Sequence, residues 1–150
     1  MVLDREDLFA EIICDKIHVN PSAVRLFWKA KGPQRSSLIT DATSATGMPN
    51  GNYRLGSFEI TLVDGTCLLN GGLAGSALTL DRALENLMHF AGVTLPEALP
   101  LVTQNPARML GMQQARETLH AGLAVGSRAD LVALDTSGRL VASFSAGRLA

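Results

Sequence analysis

The sequence predicts an α/β fold in which a parallel strand–helix–strand unit comes first and short strands close the chain. Three observations carry this reading. The apolar run Ile12-Ile13-Cys14, a helix start at Asn20-Pro21 and a second short strand from Ser36 to Thr40 have the spacing of a parallel crossover. The second strand ends in one carboxylate, Asp41, followed by the small polar loop Ala42-Thr43-Ser44-Ala45-Thr46-Gly47-Met48. A barrel enzyme presents an acid/base group in this way, at the carboxyl end of a strand. After Gly126, turn residues alternate with short apolar runs.

Taken in order, a buried strand is expected near Glu11 to Cys14. Asn20 can accept a bond from an orphan N–H, and Pro21 fits a first turn where its missing donor costs nothing. The helix should run from about Ser22 to Lys31, with Val24, Phe27 and Lys31 on one face, Trp28 beside it, and Gly32-Pro33 as the stop. Met48-Pro49-Asn50-Gly51 is turn chemistry. Ser57 to Val63 alternates as a strand, Asp64-Gly65 is a hairpin signal, and Thr66 to Leu69 returns. Asn70 to Ser76 reads as a glycine-dense loop. Thr79 then caps a helix with Leu80, Leu84, Leu87, Met88 and Ala91 on one face, ended by Gly92. Thr94-Leu95-Pro96-Glu97 is a capping box opening a helix to about Thr103, and Asn105-Pro106 starts a third short helix ending at Gly111. Gly126 to Asp135 reads as turn then strand, Ser137-Gly138 as a turn, and Arg139 to Ser145 as the returning strand, with Gly147 to Ala150 ending or extending it.

Composition narrows the function classes. At 150 residues and 47% hydrophobic, the chain can build a core and is not expected to be disordered. A net charge of -1 with no basic stripe argues against nucleic acid as a partner. No apolar run approaches bilayer length, and the start Met1 to Asp7 is mostly charged, so neither a membrane span nor a secretory signal is expected. Cys14 and Cys67 are far apart without metal-like spacing and read as reduced, packed thiols of a cytoplasmic protein. A disulfide between them is the minority reading.

Asp41 has two readings from spacing alone: a proton-transfer group, or a strand-end acid capping its loop through the Thr43 or Ser44 N–H. His18 is open between a ligand contact and a satisfied loop histidine. His89 and His120 have no second ligand near them in sequence, and Arg108 is expected to pair with a carboxylate or cap its helix. Asp130 and Asp135 flank a strand as turn acids.

Several pieces, in order, carry a resemblance: Cys14-Asp15-Lys16-Ile17-His18-Val19, Thr40 to Met48, Gly72-Leu73-Ala74-Gly75-Ser76-Ala77-Leu78-Thr79-Leu80, Asn105 to Gly111, and Gly122 to Asp135. This combination resembles the carboxyl-terminal part of the N-acetylglucosamine-6-phosphate deacetylases of the amidohydrolase superfamily. The likeness runs from about Leu8 to the end. It implies the carboxyl-terminal portion of a metal-dependent-hydrolase (β/α)8 TIM barrel plus part of a small β-sandwich domain. Residues 1–120 would supply strands seven and eight, a hairpin insertion and the following helices, and 121–150 the strands of the small domain. The implied reaction removes acetate from N-acetylglucosamine 6-phosphate, giving glucosamine 6-phosphate.

The resemblance makes Asp41 the general base and acid, and places His18, Asp15, Leu73, Ala74 and Gly75 against the amino-sugar phosphate. Lys16 stands where the family usually has glycine. The family's divalent metal, zinc or iron, is held by a glutamate and two histidines from earlier strands, none matched here, so no metal ligand is assigned in this chain. The expectation is therefore a fragment, inactive alone, whose parent enzyme forms a homodimer or which pairs with a missing amino-terminal half. A non-catalytic remnant, a split-barrel partner domain and an amidohydrolase with another substrate, such as a cyclic-amidase relative, are the alternatives.

Overall fold

The computed structural model describes residues 2–112, 125 and 128–150. The expectations for His120, the Gly126-Ser127 turn and a domain boundary after residue 120 lie outside the described residues.

The crossover forms as the sequence requires. Strand β1 (Ala10–Ile13) pairs in parallel with β2 (Ser36–Ile39), Ile12 opposite Leu38 and Ile13 opposite Ile39. Helix α1 (Pro21–Lys31) connects them. Asn20 Oδ1 accepts from Ser22 N at 2.9 Å, and Gly32, at φ 65, sends its N–H to Trp28 O. Val24 and Phe27 face the core; so does Lys31, a charged residue that is 9% exposed. Its ammonium donates to Val2 O at 2.8 Å and to Arg5 O, which holds the 3-10 turn Val2–Asp4 against the helix. Buried charge is tolerated here because the ammonium is hydrogen-bonded.

After β2 the chain builds an antiparallel meander: β3 (Gly51–Leu55), β4 (Phe58–Val63), β5 (Thr66–Leu69) and β6 (Gly72–Ser76). The Asp64-Gly65 hairpin falls where expected. Two strands were not anticipated. Gly51 opens β3 rather than closing a turn, and the glycine-dense Asn70 to Ser76 stretch is a tight turn followed by β6. The glycines concealed a strand because β6 contributes backbone pairing, with Ala74 as its small contact to the buried cluster Ala45, Ile60, Leu62 and Cys67.

Helix α2 (Leu80–Ala91) buries Ala83, Leu84 and Leu87, and Gly92 ends it in the left-handed conformation. Thr79 occupies the N-cap position, but its side chain makes no capping bond. The capping box at Thr94 is present, with Glu97 Oε2 accepting from Thr94 N at 2.7 Å and Oγ1 at 2.6 Å. The helix it opens is shorter than expected: α3 (Leu95–Ala98) tightens to a 3-10 segment, Leu99–Val102, where Pro100 lacks an amide donor. Helix α4 (Gln104–Met109) follows. Its Asn105 is fully buried and donates to Pro33 O and Ser36 O, both at 2.6 Å, tying α4 to the entry of β2. Arg108 donates to Gln34 Oε1 at 3.2 Å, so the expected carboxylate partner is replaced by an amide. Trp28 is half-buried against the main core.

The chain closes with β7 (Leu131–Leu134), β8 (Leu140–Ser145) and β9 (Arg148–Leu149), all antiparallel. Asp130 accepts from Ala146 N, and Asp135 from Ser137 N and Arg139 N, as expected of turn acids. No helix among the described residues is long and apolar enough to cross a membrane.

Leu87 is fully buried among Leu84, Leu101 and the β1–β2 strands' cluster. Truncation to alanine should cost about 2–5 kcal/mol in a urea titration. Glu97 is held below the usual carboxylate range by its bonds from Thr94. A carboxylate depressed on folding stabilises above its unfolded pKa and loses that contribution as pH falls through the folded one. Thr94→Ala should therefore flatten the acid limb of the stability curve, read by thermal melts across pH.

Candidate active site

The parallel pairing of β1 and β2 brings two polar loops to one end of the sheet: Asp15 to His18 beyond β1, and Asp41 to Met48 beyond β2. This is the carboxyl end, where α/β barrels concentrate their chemistry.

The first loop is organised by its own acid. Asp15 Oδ1 accepts from Ile17 N and His18 N, both at 2.8 Å, and His18 Nδ1 lies 2.6 Å from Oδ2. A carboxylate can only accept, so Nδ1 carries the proton and Nε2 is left for another partner. Asp15, anticipated as a ligand contact, thus spends both oxygens within its loop. Its geometry makes it the group that orients His18. Cys14, directly before it, is fully buried; burial and the neighbouring Asp15 charge push its thiol up to about 12, so it stays protonated. Cys14 and Cys67 are both free, in accord with the reduced reading.

Asp41 is exposed and sits at φ 50, the left-handed region that non-glycine residues enter at a cost. Its carboxylate accepts no hydrogen bond among the described residues. The loop-capping alternative is not what forms: Thr43 N donates to Ser76 O at 2.8 Å instead. What holds Asp41 is the backbone of β6. Ser76 N donates to Asp41 O at 2.7 Å, and Ala42 pairs with Ser76 as a parallel bridge. Ser76 is 2% exposed; its Oγ donates to Thr40 O and accepts from Leu78 N at 3.0 Å.

Gly75 is the other half of this clamp. It lies at φ +66, and a Cβ there would stand 2.6 Å from Thr43 Cγ2, 3.0 Å from Asp41 O and 3.7 Å from Asp41 Oδ2. The strand can run beneath the carboxylate only because it has no side chain at that point. Leu73, half-exposed, and Ala74, packed on the meander cluster, precede it on the same strand. The structure therefore joins Asp41 with Gly75, and Asp15 with His18, at one sheet end. His89 is exposed on α2 and makes no hydrogen bond to either pair. Ser76 was missed as a site residue. Its sequence context, a serine after glycine and before an apolar pair, carries no mark of the long-range bond to Thr40.

Among the described residues no three His, Cys, Asp or Glu side chains come together to hold a metal ion. The described residues do not fit one, and no chemical step below passes through a metal.

No protein-family model matches the chain. It is 37% identical over 142 residues to N-acetylglucosamine-6-phosphate deacetylase of Vibrio furnissii, covering 94% of this chain and 34% of that protein. It is 39% identical over 141 residues to an Escherichia coli (strain K12) protein provisionally named N-acetylgalactosamine-6-phosphate deacetylase, covering 93% of this chain and 81% of that one. Its fold superposes with a TM-score of 0.84, at 37% identity, on 39% of an N-acetyl-D-glucosamine-6-phosphate deacetylase mutant from Mycobacterium smegmatis, solved in complex with N-acetyl-D-glucosamine 6-phosphate. Fold and site together define the class: the carboxyl-terminal portion of an amidohydrolase, a group that in general depends on a metal. The chain belongs to the N-acetylhexosamine-6-phosphate deacetylases, the family of N-acetylglucosamine-6-phosphate deacetylase. It spans about a third of the length of the Vibrio relative.

Gly75→Ala should collide with Thr43 and adopt an unfavourable φ, costing about 2–4 kcal/mol in chemical denaturation. Amide resonances of residues 41–43 should shift most. Small shifts confined to β5 would contradict the clamp.

Proposed function

We propose that this chain supplies the proton-transfer carboxylate and the sugar-phosphate contacts of an N-acetylglucosamine-6-phosphate deacetylase. Asp41 takes a proton from the water that attacks the acetamide carbonyl, then returns it to the amine that departs, releasing acetate and glucosamine 6-phosphate. The observation that supports this most is the state of Asp41: an exposed carboxylate at a strand's carboxyl end, unbonded among the described residues, on a backbone in an unfavourable conformation. Such strain is tolerated where a group must face a substrate. His18, its Nδ1 held by Asp15, contacts the phosphate through Nε2, which donates when the ring carries both protons, and the backbone of Leu73 to Gly75 lines the substrate beside Asp41. For the whole enzyme the ion would be zinc or iron; the described residues of this chain bring no set of side chains together that would hold it. Residues 1–120 belong to the barrel in this reading and 121–150 to the small β domain.

The test uses a hybrid in which this chain replaces the matching segment of the Vibrio furnissii deacetylase. The hybrid should release acetate from N-acetylglucosamine 6-phosphate. Asp41→Asn should lower kcat about 100- to 10,000-fold with little change in KM, whereas His18→Gln should act mainly on KM. A hybrid that keeps its full kcat with Asp41→Asn contradicts the proposal. The 150-residue chain alone, assayed with added zinc or iron, should show no acetate release.

A further inference from the structure

One side chain of α2 reaches the end of β1. Asn86 Nδ2 donates to Cys14 O at 2.8 Å, although the two residues are 72 positions apart. Asparagine is a costly choice inside a helix, because its amide competes for backbone hydrogen bonds. Its neighbour Leu87 is buried, as are Ala83 and Leu84 one turn earlier, so an apolar residue would suit the packing at least as well. No other side chain of α2 makes a hydrogen bond to β1 or to its loop among the described residues. The reason for an amide at position 86 therefore lies in its acceptor.

Cys14 is fully buried and follows Ile13, the last residue of β1 in register with β2. A buried carbonyl at that point needs a partner, and Asn86 supplies one. The carbonyl and the N–H that follows it share one rigid plane, so the bond fixes the peptide that leads into Asp15. The loop is then built from Asp15 onward. Its Oδ1 accepts from Ile17 N and His18 N, and its Oδ2 lies 2.6 Å from His18 Nδ1. The Asp15 side chain is 7% exposed and that of His18 19%, so the arrangement is held by protein groups more than by water.

We infer that Asn86 is a positioning residue for His18. Through the Cys14 carbonyl it sets the direction of Asp15, and Asp15 decides which imidazole nitrogen turns outward. The benefit to substrate binding rests on the function proposed above; the chain of bonds from Asn86 to His18 does not.

Two measurements separate these parts. The first uses the full chain with 15N-labelled histidine at about pH 9, where an imidazole is neutral. His18 should hold its proton on Nδ1 in the unaltered protein. In Asn86→Leu the proton should divide between Nδ1 and Nε2, as it does in an unconstrained ring. Amide resonances of β2 and β6 should stay in place, so the change is not a loss of fold. If Asn86→Leu does not fold, Asn86→Ser replaces it, since a serine hydroxyl is too short to reach Cys14 O. A proton that remains on Nδ1 in the variant overturns the inference, whether or not the chain takes part in catalysis. The second measurement uses the hybrid enzyme. Asn86→Leu should raise KM for N-acetylglucosamine 6-phosphate about three- to tenfold, with kcat within about twofold. Added to His18→Gln, it should change KM by less than about twofold, because its effect passes through His18. Fully additive losses would give Asn86 a role independent of His18 and contradict the inference. A hybrid without activity in any form counts against the proposed function, and the histidine spectra still decide the link from Asn86 to His18.

Discussion

Strand β6 fixes the place and the shape of the second loop. Its backbone exchanges bonds with both Asp41 and Thr43, and the Ser76 hydroxyl reaches Thr40 at the last turn of the chain out of β2. These contacts hold Asp41 at a positive φ. They also satisfy the polar groups that a strand end leaves unpaired, so the carboxylate is not needed for that purpose. The meander is more than an insertion between β2 and α2: it is the support on which Asp41 rests.

A different solution operates beyond β1. There the side chain does the work and the backbone is shaped by it. Asp15 gathers two amides and the His18 ring, which leaves a single imidazole nitrogen facing outward. The two loops thus divide the roles of two aspartates. One is consumed in orienting a neighbour; the other is kept free by bonds that bypass it. Residue type alone does not distinguish them, and the hydrogen-bond partners do.

The legible parts of the sequence were those with local chemical cause. Asn20-Pro21 and Gly32 bounded α1, Asp64-Gly65 placed the hairpin, and Thr94 with Glu97 marked the capping box. Pattern failed where long-range pairing overrode composition. Gly72 to Ser76 holds two glycines in five residues and resembles a loop, yet β5 gives it a partner. The shortening at Leu99 coincides with Pro100, which has no amide to donate in a continuing α-helix. At the site, the strand-end position of Asp41 was readable from Leu38 to Gly47. Its left-handed backbone, the clearance at Gly75 and the bond from Ser76 were not, because each depends on residues more than thirty positions apart.

Asp41→Gly is the most direct measurement of the central claim. If the carboxylate is present for chemistry and β6 alone holds its backbone, glycine should relax the positive φ and raise the free energy of unfolding by about 1 kcal/mol, with amide shifts elsewhere in β2 and β6 preserved. A loss of stability of similar size would mean that the side chain itself anchors the loop, and would contradict the account.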